Sequence, residues 1–430
     1  MHSLTRPLAL VTSLVLALTV VAAPAFAADG PTTLPSNVTF HGRGYGHGVG
    51  LNQYGARGRA LAGFRWQTIL ARYYKDTTLG SIPLDTPIRV RVLVDLYPTT
   101  SAPLVLYGRR GTWTIDGLAP TFPADARVEV TPRPAGSSPP WRVVVKSPSG
   151  TVLHDGSTWS FRMRPTTAST ALQVWSRTSS YDEYRGVLRV LLSSPVLRAN
   201  VVNELPLETY LRGVVPAEMP SAWPANALRA QAVAARSYAA RRLRPTVGNW
   251  DVADDSTSQV YLGIEGEQSS TNNAIKLTEG IVVKRGSEIA NTLFHSTAGG
   301  WTEHNENVFV SSSGAKVATP VAYLRGRSDR RADGTSYDDS SPYAVWSTAT
   351  YTRAQLSSWF GSDSRTNVGA LTALDLRDRG VSGRLISVTL IGSLGTKTVS
   401  GDVFRSVFNA KRPAADKPLR STLFDLVPVP

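Results

Sequence analysis

Four short stretches of this chain bring together residue types that could do chemistry. In VVPAEMPSAWP, Glu218 stands between Pro216 and Pro220, with Val215, Met219 and Trp223 around it, which predicts a stiff loop. A carboxyl held among apolar neighbours has its ionised form disfavoured, and its pKa rises toward the working range of a general acid. An exposed loop glutamate fits the same local pattern. In GRGYGHGVGLNQYGA, glycines at 42, 44, 46, 48 and 50 allow unusual backbone angles and close approach of a ligand or another segment. His47 is the titratable group at the centre of this stretch, and Gln53 follows it. No GxGxxG register occurs there, so it is not a dinucleotide loop. A packed turn with a hydrogen-bonded histidine is the simpler reading, a binding site the other. In ANALRAQAVAARSYAARRL, Arg236 falls on the flank of a helical stripe formed by Leu228, Ala232, Ala235, Ala239 and Leu243. Buried there, it needs an anionic partner, for which Glu218 or an anionic ligand would serve; otherwise it snorkels to solvent.

The fourth stretch is HSTAGGWTEHNE. Ser296, Thr297 and the Gly299-Gly300 pair predict a polar turn that exposes hydroxyls and backbone amides. His295 and His304 stand at no established metal-ligand spacing, and Ser296 lacks the GxSxG setting of a hydrolase nucleophile. Asp254 and Asp255, before Gln259-Val260-Tyr261, form either a cation site or a solvated turn.

The elements around these stretches follow from hydrophobic period and from turn residues. Residues 28–36 read as a short linker. Residues 37–80 form a compact unit: a strand-like NVTFHG, the glycine stretch, and a helix marked by Trp66, Ile69, Leu70, Tyr73 and Tyr74 at spacings of three and four. A unit of about 44 residues buries little core alone, so it must pack on the rest and is expected to line the substrate groove. Residues 86–190 hold short β-rich runs such as PIRVRVLVDL and WRVVVKSP, bounded by Pro, Gly and Ser, which predicts antiparallel sheet. Residues 195–430 carry the strand VLRANVVNEL, the helix candidate PLETYLRGVV, and a long helix from about Ala225 to Leu243 free of Gly and Pro. A tail follows with two strands and a short helix. The fold class is α+β, mostly antiparallel sheet with a long Ala-rich helix at the active site.

At the N-terminus, His2 and Arg6 precede an apolar run from Leu8 to Ala23, and Ala25-Phe26-Ala27 is a small-x-small cleavage pattern. Residues 1–27 therefore read as a signal peptide cleaved after Ala27 or Ala28. Secretion to the cell wall is expected, with no stable membrane insertion. The chain has no cysteine, which removes disulfides and thiolate chemistry. Hydrophobic content of 42% and charged content of 18% describe a globular protein with ample core. The formal net charge of +14 attracts polyanions, and anionic wall polymers are the natural ones for an exported chain. The basic residues are scattered rather than clustered, which argues against nucleic acid.

Taken together, NVVNELPLETYLRGVVPAEMPSAWPANALRAQAVAARSYA, SQVYLGIEGE, TEGIVVKRG, FHSTAGGWTE, YLRGRSD and the SGR near Arg384 resemble the SpoIID/LytB family. GYGHGVGLNQYGA is similar to a motif that often lies near the C-terminus in that family; here it lies near the N-terminus, as in actinobacterial-type members. The resemblance spans about residues 37–80 and 195–425. It implies a lytic transglycosylase that cuts glycan strands of peptidoglycan already stripped of stem peptides, at the MurNAc-GlcNAc bond. Glu218 maps onto the catalytic glutamate and Arg236 onto the helix arginine. Gln231, Gln259, Tyr261, Ser296, Gly299, Gly300, His47 and Gln53 are the further substrate-binding candidates. The alternative that the resemblance admits is a non-catalytic wall-binding protein that enhances an amidase, with a cell-wall amidase as partner; such a protein would not need Glu218. Family members carry a zinc site built partly from cysteines; Ala253 and Ser258 stand at those positions here. No metal and no cofactor are therefore expected.

Overall fold

The computed structural model describes residues 30–429. The signal peptide read over 1–27 lies outside the described residues. The described chain is mixed α and β, and its sheets are mostly antiparallel. Its helices are α1 (Gln53–Leu61), α2 (Trp66–Tyr73), α3 (Leu207–Glu218), α4 (Ala225–Ala240), α5 (Ser269–Lys276), α6 (Asn305–Val308), α7 (Arg353–Gly361) and α8 (Gly401–Lys411). None is long and apolar enough to cross a membrane.

The β-rich region folds as two sheets over one core. In the strand Pro87–Leu96, the alternation of the sequence puts Ile88, Val90 and Val92 inside, with their neighbours facing outward. This strand pairs antiparallel with Ala199–Pro206, which pairs in turn with Val187–Leu192. The opposing sheet is centred on Leu104–Arg109, Arg127–Pro132 and Trp141–Lys146. Trp113, Trp141 and Tyr184 fill the space between the sheets.

Helix α3 lays Leu207, Tyr210, Leu211, Val214 and Val215 onto that core, and α4 packs behind α3. The stripe expected on α4 undercounts its burial: 13 of its 16 residues are buried. Ala232, Ala235 and Ala239 face the sandwich core. Leu228, Ala230, Val233 and Ala234 face a second core shared with Val49, Leu51, Ile69, Leu70 and Tyr74 of the N-terminal unit. Alanine lets both layers approach the helix axis closely. The helix stops at Ala240, earlier than the pattern suggested, and Arg241 caps it.

A third core differs from the sequence-based division. Within the stretch read as a linker, Thr32 and Thr33 pair with Leu374 and Ala373, and Leu34 is buried. They extend a sheet of Leu371–Asp375, Ser387–Gly392 and Gly395–Ser400, covered by α7 and α8. Phe40 meets Phe404, Phe408 and Phe424 edge-on in this core, at ring separations of 5.5 to 5.9 Å.

Candidate active site

Glu218 is the last residue of α3 rather than a loop residue, and Pro216 lies inside the final turn of that helix. Extended Met219 ends the helix, with its N–H donating to the Val215 carbonyl, and its side chain is fully buried. This anchor fixes where the carboxylate points. Glu218 lines a cavity of about 470 Å³ whose walls come from four distant segments. Tyr45, Gly46, His47 and Gln53 come from the N-terminal unit, and Tyr238 from α4. Ser256, Ser258, Gln259 and Val260 come from one loop; Phe294, His295, Ser296 and Phe309 come from another region. Gln53 Nε2 lies 3.5 Å from a Glu218 oxygen. Burial pushes the Glu218 carboxyl up to about 7, opposed by the bonds from Gln53 and the Val260 backbone. No arginine or lysine pairs with it among the described residues.

The glycine stretch and the HSTAGG stretch lie against one another. Tyr45 and Thr297 exchange backbone hydrogen bonds of 2.9 and 3.1 Å, and Leu51-Asn52 pairs in parallel with Phe294-His295. Glycine is required at the contact. A Cβ on Gly50 would sit 2.0 Å from the Leu293 oxygen, and one on Gly48 would sit 2.5 Å from the buried Arg384 guanidinium; both residues have positive φ.

The Val49 N–H donates to His47 Nδ1 at 3.0 Å, so that nitrogen carries no proton. His295 Nδ1 lies 3.2 Å from the Val49 carbonyl and must be the protonated nitrogen. The two rings are 5.5 Å apart. Burial, then the Arg384 charge, holds His47 near 4; burial, then His47, holds His295 well below its ordinary value. Both rings are neutral at pH 7. The pair clasps the glycine motif to the opposite wall.

This clasp sets an acid limit on stability. The unfolded chain protonates these histidines near pH 6.5, whereas the native state resists until about pH 4 at His47. Stability from this source is therefore lost as pH falls from about 6.5 toward 4. Glu218 acts in the opposite sense over part of that range, so the comparison belongs in a Glu218→Gln background. There, His47→Asn should flatten the fall in melting temperature, since the Asn oxygen can accept the Val49 N–H without titrating. An unchanged slope would show that the histidine does not set the limit.

Of the expected site residues, Glu218, Gln53, His47, Gln259 and Ser296 line the cavity and the others do not. Arg236 is fully buried and faces neither Glu218 nor the cavity. It grips Glu208 through two bonds of 2.7 and 2.8 Å. Tyr261 is buried in the sandwich core, donating to Asn203 Oδ1 at 3.0 Å. Gln231 is buried within α4, and its amide makes no hydrogen bond among the described residues. Gly299 donates its N–H to Asp338 at 2.9 Å, and Gly300 packs beside Arg330. The sequence reading missed Tyr45, Tyr238 and Phe309. Tyr238 had a signal, since it lies two helical turns after Gln231 on α4. Phe309 had none beyond being an aromatic after a polar stretch. At the positions suited to zinc thiolates, the Ala253 N–H donates to Ser258 Oγ at 3.1 Å, a pairing that offers no thiolate ligand.

The core of this arrangement, residues 197–284, matches the family model described as SpoIID, stage II sporulation protein. Over these residues the chain is similar to the SpoIID family. It is 32% identical over 183 residues to the amidase enhancer of Bacillus subtilis (strain 168), a match covering 40% of this chain and 25% of the relative. It is 33% identical over 140 residues to the stage II sporulation protein D of Bacillus amyloliquefaciens, covering 28% and 40% respectively. With the protein of that name from Bacillus subtilis (strain 168), it shares 27% identity over 201 residues, covering 42% and 54%. The chain thus spans between a quarter and about half of the length of these relatives. The SpoIID match takes in α3, α4, α5 and Glu218. The glycine motif and the HSTAGG loop, which complete the cavity, lie outside it.

Proposed function

We propose that this protein is a secreted lytic transglycosylase that cuts peptidoglycan glycan strands, with Glu218 as the sole acid and base. The observation that carries the reading is that, among the described residues, Glu218 is the only carboxylate lining its cavity, buried and without a cationic partner. Ordinary glycosidases place a second carboxylate across the scissile bond, to activate water or to attack the sugar. A lone acid suits a reaction whose nucleophile is part of the substrate. Glu218, protonated at the start, gives its proton to the glycosidic oxygen as the bond to C1 of N-acetylmuramic acid breaks. The 6-hydroxyl of the same sugar attacks C1, and its proton passes to the Glu218 carboxylate. The strand then ends in a 1,6-anhydro ring, and no water is consumed. Tyr45 and Tyr238 line the cavity with phenol oxygens that can face the developing positive charge with dipoles rather than with a competing cation. The surplus of positive charge draws the protein to anionic wall polymers.

A second reading is favoured by the similarity to an amidase enhancer. There the cavity binds a glycan strand without cutting it and presents it to a cell-wall amidase. Mass spectrometry of amidase-treated sacculi incubated with the purified protein separates the two. Strand ends in 1,6-anhydro sugar are the expected result. Reducing ends would mean that water attacks. Uncut strands together with faster amidase turnover would favour the second reading.

A further inference from the structure

A larger cavity of about 910 Å³ adjoins the Glu218 cavity. Gly46, His47, Ser256 and Phe309 line both, so the two chambers meet at these residues. The outer walls of the larger one come from the segment after α6 and from the C-terminal unit: Val310, Ser312 and Val317 on one side, Val403, Arg405 and Thr422 on the other. Its volume falls within the range of about 300–1,000 Å³ typical of ligand pockets.

The lining indicates what it would hold. Phe309 is 40% exposed, on the wall common to both chambers, with its ring 5.9 Å from that of His47. The hydroxyls of Ser256, Ser312 and Thr422 make no hydrogen bond among the described residues and remain available to a ligand. The two charged groups, Asp402 and Arg405, bond to each other at 2.6 Å and present little net charge. A flat apolar ring beside free hydroxyls, with little net charge, suits a sugar chain better than a polyphosphate or a nucleic acid.

We infer that this chamber is a glycan-binding extension of the active site, in which the strand runs from Glu218 over Phe309 toward α8. Phe309 is the stacking platform at the junction, and the C-terminal unit supplies the far wall. This rests on the glycan reading of the Glu218 cavity but not on its chemistry. Each cavity alone is small for a polymer; joined, they explain why the strand would be held over several sugars. Distant contacts of this kind position the reacting bond.

The test uses the full chain carrying Glu218→Gln, which binds strands without cutting them, titrated with peptide-free glycan of graded length. Affinity should rise with length until both chambers are spanned. Adding Phe309→Ala should weaken binding of long strands about tenfold and flatten the length dependence. Phe309→Trp, which keeps a ring, should restore it. Ring exposure makes misfolding of the Ala variant a minor risk, and the Trp variant controls for it. Length dependence that survives Phe309→Ala would overturn the extension. A wild-type protein that binds strands yet never cuts them would overturn the chemistry assigned to Glu218, and the binding series would still decide the chamber.

Discussion

Glu218→Gln should lower glycan cleavage by about a hundred- to ten-thousandfold, the usual contribution of a positioned proton donor, while raising stability above neutral pH. Gln keeps the shape of the side chain and its reach to Gln53 but has no proton to transfer. Binding of peptide-free strands should persist, because the walls of the cavity are untouched. The pH dependence follows from burial. The carboxyl sits near 7 in the folded protein and near 4.5 unfolded. Its protonated form is the favoured one when folded, so this site costs nothing below about pH 4.5. The cost builds as pH rises from about 4.5 to about 7 and is constant above that, at roughly 1 to 3 kcal/mol. The Gln variant never develops that charge, so its melting temperature should exceed that of the wild type at pH 8 and match it at pH 4. The wild-type rate should fall as pH climbs past about 7, since the first step needs a protonated acid. Near-native turnover in the variant would end the enzyme reading. Equal melting temperatures at pH 8 would show that Glu218 is not buried as described.

What the sequence made legible were features carried by local period and local chemistry. The alternation in Pro87–Leu96 gave the buried face of a strand, and the run of alanines after Pro224 gave a helix in a crowded place. The apolar company of Glu218 pointed to a raised carboxyl. The prolines around it misled: Pro216 reads as loop punctuation, yet it is accommodated in the last turn of α3. What stayed hidden were pairings across long stretches of chain. The glycines at 48 and 50 announce that something comes close, but only the fold shows that it is Arg384 and Leu293. The helical wheel put Arg236 beside an apolar stripe and stopped there, because a wheel contains no neighbours. Gln259 and Tyr261 stand two residues apart in the chain, but in an irregular segment that spacing does not fix a common face. Gln259 meets the cavity and Tyr261 the sandwich core. Thr32 and Thr33 carry no apolar period, so their place in the C-terminal sheet left no trace in the pattern.

Arg236→Met should destabilise the protein by about 3–5 kcal/mol, the range for breaking a buried ion pair from one side. The guanidinium is fully buried on α4. It binds both oxygens of Glu208 in the first turn of α3, and its Nη1 donates to the Ile281 carbonyl at 3.1 Å. Glu208 in turn accepts the Gly280 N–H at 3.1 Å. One side chain therefore ties α4 to the start of α3 and to the turn before the strand Ile281–Arg285. Met fills a similar volume but leaves the Glu208 carboxylate with one backbone donor in place of a paired cation. Adding Glu208→Gln should recover a large part of the loss, because it removes the stranded charge; the non-additivity of the double variant measures the pair itself. Urea titration gives these free energies. Kinetics at low temperature, where the variant remains folded, then distinguishes a clasp from a substrate contact. If Arg236 only holds the helices, the Michaelis constant for glycan strands should stay within about twofold of the wild type once the folded fraction is accounted for. A variant as stable as the wild type but with a much higher Michaelis constant would place Arg236 against the substrate after all, and the pairing with Glu208 would then have to open when a strand binds.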